Sequence, residues 1–315
     1  MKRSGLIAVS ALVALAVQAP SAHAQIPEDP EANLVEELVV NAKLPGPAWW
    51  RISDGDTTIH MLGTLASLPK GAAWDTSVLE RRLEGAFALI LPPVGRAGVT
   101  DIPAMLKLRG KLKSDQSLDA AAPELAPRLA KVRAQLGKKP DAYREWSPLG
   151  AGIMIAMDYQ KTTKLDPGEP ERTVGKLARK KRVKARPAGT YKAMPVMKAA
   201  VRDHSAEAGQ LCLEGVLSEV EAGSAAARSA AQAWARGDVR AAIAGPRNFQ
   251  RCIRSLPGMV ELEKRAMDDE IAALTEAMKT PGHAVALFSI RGLVAQNGLL
   301  DRMRAKGFTV RTPGD

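Results

Sequence analysis

Strand-like runs lie at the two ends of this 315-residue chain, and a long stretch of helical spacing separates them. Near the start, residues 49–53 and 57–62 flank Asp54-Gly55-Asp56, a composition that favours a tight hairpin turn. Near the end, residues 284–290 and 308–312 are again typical of strands. Because these end segments must share a sheet to bury their apolar faces, we predict one α/β (α+β) domain.

The segments between these strands complete the predicted fold. Residues 77–85 have capping-box spacing and predict a short helix, and residues 87–91 predict a buried strand that Pro92-Pro93 ends. Residues 102–255 are rich in alanine, lysine, arginine and leucine at helical spacing. We therefore predict a central mixed β-sheet, built from N- and C-terminal strands, with a large helical insertion at about 102–255.

Within and after that insertion, three further elements are predicted. Residues 182–186 are expected to form a short strand before Pro187. Apolar residues between 259 and 278 recur on one face of a long helix that Pro281-Gly282 ends. A last helix at 298–306 precedes the final strand.

The first 24 residues have the pattern of a cleavable secretory signal. Lys2 and Arg3 precede an apolar run at 6–17, which ends at Ala22-His23-Ala24. We predict cleavage near Ala24-Gln25 and a periplasmic or secreted protein. No later stretch approaches the ~18 uninterrupted apolar residues of a membrane helix, so no transmembrane span is expected in the mature form.

The chain has two cysteines, Cys212 and Cys252, and export would place them in an oxidising compartment. We predict a structural disulfide between them. The alternative, a redox or nucleophilic cysteine, lacks CxxC spacing or a nearby partner histidine.

Residues 25–46 are punctuated by proline and acidic at first, which predicts a flexible leader. Its island at 35–43 resembles the TonB-box segment at the start of outer-membrane receptors. Two interpretations stay open: a linker between signal and domain, or a segment that adds as a strand to the sheet edge of an envelope protein.

Short motifs at both ends of the domain follow one another in a characteristic order. They are Gly63-Thr64-Leu65-Ala66, the strand that ends at Pro92, Arg265-Ala266-Met267, the segment 286–293, Asn297-Gly298-Leu299-Leu300 and Gly307-Phe308-Thr309-Val310. Together they resemble the TraB/GumN family (TraB/PrgY/GumN, Tiki-like) over residues 47–312. The resemblance implies that family's fold and, in active members, metal binding and hydrolysis.

The departures from the family pattern argue against that activity. Ala66 and Gly292 stand where the family places histidines, Pro92 where it places a strand-end glutamate, and Ala266 where it places an asparagine. A hydrolytic metal needs imidazole or carboxylate donors and an open position for water, and these side chains offer no donor. We therefore predict no catalytic residue, no metal ligand and no cofactor. The predicted vestigial site comprises Gly63, Thr64, Ala66, Pro92, Arg265, Ser289, Arg291 and Gly292.

No other catalytic or metal-binding motif in the sequence replaces the missing histidines and glutamate. The three histidines after the signal, His60, His204 and His283, are expected in a strand, at a helix boundary and in a turn. The sequence contains no HExxH, GxSxG, Walker-type loop or dinucleotide fingerprint.

A basic run between 176 and 186 concentrates the chain's excess charge of +11. It is either a solvated helix end or an anion-binding surface. No aromatic residue interleaves with the charges, so nucleic acid is not the expected partner. The candidate residues are Lys176, Arg179, Lys180, Lys181, Arg182, Lys184 and Arg186.

These observations favour an exported pseudoenzyme that serves as a binding or scaffolding module of the cell envelope. Its expected partner is an anionic envelope surface or an envelope protein. The alternative is a metal-dependent hydrolase or peptidase of the same family with a relocated site, which would require a divalent metal.

Overall fold

The computed structural model describes residues 28–315, so the predicted signal peptide and its cleavage site lie outside the described residues. The strands are β1 Trp49–Ser53, β2 Thr57–Thr64, β3 Leu68–Pro69, β4 Leu89–Leu91, β5 Val94–Arg96, β6 Leu165–Asp166, β7 Ala185–Pro187, β8 Thr190–Lys192, β9 Gly282–Ser289 and β10 Thr309–Arg311.

Helices occupy most of the chain between β4 and β9. They are α1 Ser77–Leu83, α2 Ile102–Lys111, α3 Leu118–Ala121, α4 Ala126–Gln135, α5 Pro148–Thr163, α6 Glu169–Lys180, α7 Ala193–Arg202, α8 Ala206–Ala235, α9 Val239–Ala242, α10 Asn248–Ser255, α11 Met259–Ala277, α12 Ile290–Val294 and α13 Leu299–Ala305. Short 3-10 helices are Glu36–Leu38, Val99–Asp101 and Pro123–Leu125. The non-helical backbone of Gly223 divides α8 by a kink.

A six-stranded mixed sheet in the order β10-β1-β2-β9-β4-β7 forms the centre of the molecule. The hairpin strands β1 and β2 are antiparallel, as are β1 and β10, whereas β2, β9, β4 and β7 run parallel. The prediction that strands from both ends of the chain share one sheet, with helices between them, is confirmed. Two smaller sheets pair β3 with β6 and β5 with β8.

The sheet is buried on both faces, as its alternating side chains show. In β9, Ala284, Ala286 and Phe288 join the core beneath α11, α13 and the end of α8. Val285 and Leu287 join the opposite core beneath α1 and α6. Strands covered on both faces are near-continuously apolar, which explains why β9 lacks polar alternation.

Several strand boundaries differ from the sequence-based expectation, and three of them have an evident reason or consequence. β4 begins at Leu89 rather than residue 87. The strand expected at 182–186 is instead Ala185–Pro187, because Arg182 has the left-handed backbone of a turn (φ 61°). β9 ends at Ser289, whose hydroxyl accepts a hydrogen bond from Gly292 N at 3.0 Å and so starts α12.

A second layer of helices is built by α4, α5, α8 and α10. Apolar residues of the first three, among them Leu129, Ile155 and Leu213, are fully buried in one cluster. Beside it Cys212 of α8 and Cys252 of α10 form the predicted disulfide. Among residues 28–315, no helix combines the length and apolar character needed to span a membrane.

Residues 28–39, here called the strap, pack against the domain, although 25–46 was expected to be flexible. Leu38 is fully buried and Val39 nearly so. The Trp50 indole Nε1 donates a hydrogen bond to Leu38 O at 3.1 Å, and Leu34 pairs with Ala295 in a β-bridge. The apolar residues of the strap cover the edge of the main core, where burial stabilises the ordered segment.

Candidate functional site

A cavity of about 590 Å³ lies where the parallel strands β2, β4 and β9 end. The residues that follow these strands line it together with α11, the start of α13 and the strap. Because α/β sheets bind ligands at the carboxyl ends of their strands, this is the expected place for a functional site.

The residues that the family resemblance places at motif positions meet in this cavity. Ala66, Pro92, Ala266 and Gly292 all line it. Thr64 and Ser289, also expected at the site, lie opposite each other in the register of β2 and β9 and line it as well. Four segments distant in sequence are thereby brought to one wall.

Gly63, which does not line the cavity, and Thr64, which does, fix the end of β2 beside it. A Cβ at Gly63 would lie 2.6 Å from Cζ3 of Trp50 and 2.7 Å from Cγ1 of Ile290, so no larger residue fits. The Trp234 indole Nε1 donates to Gly63 O at 2.7 Å. The Thr64 hydroxyl donates to Phe288 O at 3.2 Å, which fixes the end of β2 against β9.

Gly292 faces a carboxylate contributed by the strap. A Cβ placed on this glycine would lie 3.1 Å from Ser289 Oγ and 3.3 Å from Oε1 of Glu31. A carboxylate oxygen therefore lies close to where a side chain at position 292 would begin.

The two arginines expected near the site do not line the cavity. The Arg265 guanidinium lies over the Tyr191 ring, 5.0 Å from its centre, and that tyrosine donates to Asp269 at 2.7 Å. Arg291 donates to Glu31 O at 3.2 Å and to Ile243 O, so it holds the strap rather than a ligand.

Two other arginines line the cavity and bind the strap. Arg247 forms ion pairs with Asp29 and, at 2.8 Å, with Glu31. Burial raises the pKa of Asp29, but hydrogen bonds from Arg247 and Glu31 N outweigh it and hold that pKa below its usual range. Arg254 pairs with Glu263 and donates to the backbone oxygen of Glu28. The strap is thus held by charge-assisted contacts at the cavity.

Two carboxyl groups in the cavity have raised pKa values. Burial, with a smaller contribution from Glu31, raises the pKa of Glu270 to about 8. Burial also raises the pKa of Glu171, whose buried Oε2 has no hydrogen-bond partner among the described residues. The Nε of Arg254 is likewise buried and without a partner in that part of the chain. Carboxyls with raised pKa values and unmatched polar atoms beside an apolar wall are features of a ligand-binding site.

The family's metal does not fit the residues at this site. Alanine, proline and glycine at 66, 92 and 292 have no donor atoms. Within residues 28–315 no group of three or more histidine, cysteine, aspartate or glutamate side chains is arranged to hold an ion. The rings of His60 and His283 lie 6.1 Å apart, His204 bonds Val201 O, and none of the three lines the cavity.

The basic run lies at the end of α6 and along the edge strand β7. Six of its seven cations are exposed, and Lys181, which is half-buried, forms an ion pair with Glu84. The run does not line the cavity.

Several cavity residues were not expected from the sequence. Glu270 follows Ala266 by four residues on α11, so helical spacing was a usable signal for it. Arg247, Arg254 and Glu171 gave no such signal, because only the packing of α6, α10 and the strap brings them to the site.

Comparison with known families gives one match. The model of the TraB/PrgY/gumN family matches residues 48–312. The chain therefore belongs to the TraB/PrgY/gumN family, and the predicted resemblance is confirmed. No curated protein and no solved structure matches the chain.

Proposed function

We propose that this chain is an exported pseudoenzyme that serves as a binding or scaffolding module of the cell envelope. The observation that carries the proposal is the meeting of Ala66, Pro92, Ala266 and Gly292 in one cavity. The family position is retained as a concave site, while the side chains that would hold a metal are replaced by groups without donors. Its function is therefore ligand binding without hydrolysis.

The cavity has the composition of a small-molecule or peptide site. Apolar side chains such as Leu65, Val260 and Phe288 form much of its wall, and polar and charged side chains also line it. Burial raises the pKa of Glu270 to about 8, so its carboxyl offers a hydrogen-bond donor at neutral pH, and burial raises the pKa of Glu171 as well. A ligand with an apolar body and one or two polar groups suits such a wall.

Export is supported by two independent features. The first 24 residues have the order of a secretory signal, and the Cys212–Cys252 disulfide suits an oxidising compartment. The exposed basic run supports contact with an anionic envelope surface. Strand addition by residues 35–43 receives no such support, because Leu38 and Val39 would have to leave the core.

Metal retention and peptide cleavage by the purified mature chain test the absence of hydrolysis. After loading with Zn²⁺, Mn²⁺ or Co²⁺ and desalting, we expect substoichiometric metal and no cleavage of a peptide library. Stoichiometric metal together with cleavage would refute the proposal.

The second candidate is a metal-dependent hydrolase of the same family with a relocated site. It is favoured by the raised pKa values of Glu171 and Glu270 within the cavity, since perturbed carboxyls are frequent at catalytic centres. Metal-dependent cleavage lost in Glu270→Gln but kept in Glu261→Gln, an exposed position on the same helix, would establish it.

A further inference from the structure

An exposed apolar cluster lies outside the cavity lining, on α2 and the 3-10 helix before it. Val99 is 82% exposed, Ile102 51%, Met105 41% and Leu106 64%. Four large hydrophobic side chains within eight consecutive residues are therefore open to solvent. Scattered apolar residues are ordinary on a surface, but a contiguous patch indicates an interaction site.

These side chains share one face of the helix. Positions 99, 102 and 106 follow the three- and four-residue spacing of a helical stripe, and Met105 lies beside them. The other side of α2 is the packed one, because Leu108 is buried and Ala104 and Leu112 are half-buried against the domain. The apolar stripe is thus additional to the face that α2 needs for folding.

The charged residues of α2 itself are all positive. Lys107, Arg109 and Lys111 are exposed within α2, Arg96 precedes it, and α2 contains no acidic residue. The nearest acid in sequence, Asp101, accepts a hydrogen bond from Gly98 N at 2.7 Å. An apolar stripe on a helix whose charged residues are all basic is complementary to a surface with an acyl interior and anionic headgroups.

We propose that the face formed by Val99, Ile102, Met105 and Leu106 docks onto an anionic lipid surface. The four side chains enter the boundary between headgroups and acyl chains, and the lysines and arginine on the polar side of α2 contact the headgroups. The helix is only ten residues long, so binding is reversible and depends on salt. The inference rests on the proposed envelope location but not on the cavity or on the absence of hydrolysis.

Co-sedimentation of the mature chain with vesicles tests the apolar part of the proposal. Vesicles of phosphatidylglycerol and phosphatidylethanolamine are compared with phosphatidylcholine alone at low salt. We expect binding to the anionic vesicles at least about tenfold tighter, and a loss of at least about tenfold in Leu106→Glu. Met157→Glu is the matched control, since Met157 is 59% exposed on α5, outside the stripe, and should bind as the wild type does.

Charge variants test the electrostatic part. Lys107→Ala with Lys111→Ala should weaken binding roughly fivefold per charge at low salt, and less at high salt. Lys70→Ala with Lys306→Ala removes two exposed lysines outside α2 and should change binding far less. An unchanged melting temperature of every variant establishes that the losses are not caused by unfolding.

Three results would overturn the proposal. The first is equal binding to anionic and neutral vesicles, or none to either. The second is a loss in Met157→Glu as large as in Leu106→Glu. The third is a dimer in buffer that Leu106→Glu dissociates, which would identify a second copy of the chain as the occupant. A positive metal and cleavage assay would leave the lipid result standing, so the two proposals fail separately.

Discussion

Buried charged side chains are paired in the helical layer but partly unpaired in the cavity. In the layer, Arg133 is almost fully buried, and its guanidinium donates to both carboxylate oxygens of Asp119 and to Ala142 O. In the cavity, Glu171 Oε2 and Arg254 Nε are buried without partners among the described residues. Buried polar atoms are normally satisfied. Two of the five unmatched ones among residues 28–315 line the cavity, and the other three, on Arg51, His60 and Arg82, lie outside its lining. The two in the cavity accord with a site shaped for binding rather than for stability.

The largest expected effect tests the layer as the stabilising region. Replacing both cysteines, Cys212→Ala with Cys252→Ala, opens a loop closed across a separation of 40 residues and should lower the free energy of unfolding by about 4 kcal/mol. Urea unfolding followed by circular dichroism measures the loss. Wild-type protein in reductant is the control and should approach the variant, and a loss below about 1 kcal/mol would contradict the assignment.

Arg133 provides the next test of the same region. Arg133→Ala removes three hydrogen bonds from a side chain that is 5% exposed and should cost about 2 kcal/mol, since Asp119 stays partly solvated. Arg128→Ala is the matched control in the same helix, because that arginine is more exposed and its ion pairs lie at the surface. Equal losses in the two variants would show that burial of the pair does not matter.

A substitution at Glu270 tests the cavity, and it should stabilise the folded chain at alkaline pH. The pKa of Glu270 is raised to about 8 in the folded chain, so the folded state binds more protons than the unfolded state above about pH 4.5. Stability should therefore fall as pH rises from about 4.5 to 8. Glu270→Gln should remove that fall. The free energy of unfolding of the variant minus that of the wild type should be about 2 kcal/mol larger at pH 8 than at pH 5.

Denaturation at a series of pH values measures the effect. Glu261→Gln, at an exposed position of the same helix, should keep the wild-type dependence. A parallel dependence in Glu270→Gln and wild type would show that the cavity does not hold this carboxyl protonated.

The sheet was predictable because its signals are local. The hairpin turn at 54–56, the apolar run of β9 and the proline stop after β4 each specify an element by themselves. The boundaries that differed depend on contacts, as at Ser289, whose cap converts the expected last strand residue into the start of a helix. The packing of 28–39 was not predictable because Leu38 finds its partner, Trp50, only once β1 is in place.

The candidate site likewise contains residues that the sequence could predict and residues that it could not. Ala66, Pro92 and Gly292 were located because each follows a strand at a motif position. Arg247 and Arg254 reach the cavity through a helix of the insertion, and Asp29 and Glu31 through the strap, so no local pattern could assign them. Arg265 and Arg291 were expected there by motif order but contact Tyr191 and the strap instead.

The smallest expected effect concerns His60, four residues before the cavity on β2. Burial, with the positive neighbours Arg82, His283 and Arg51, lowers the pKa of His60 to about 3. The unfolded chain takes up this proton near pH 6.5, so stability should fall as pH drops from about 6.5 towards 3. His60→Phe should reduce this loss of stability at acid pH. The change should be smaller than the one that Glu270→Gln produces at alkaline pH, because the imidazole is only half-buried. Opposite slopes in the single variants, and a flat profile in His60→Phe with Glu270→Gln, would show that one residue of β2 and one of α11 set the pH optimum of stability. A double variant that keeps the wild-type curve would assign the pH dependence to other groups.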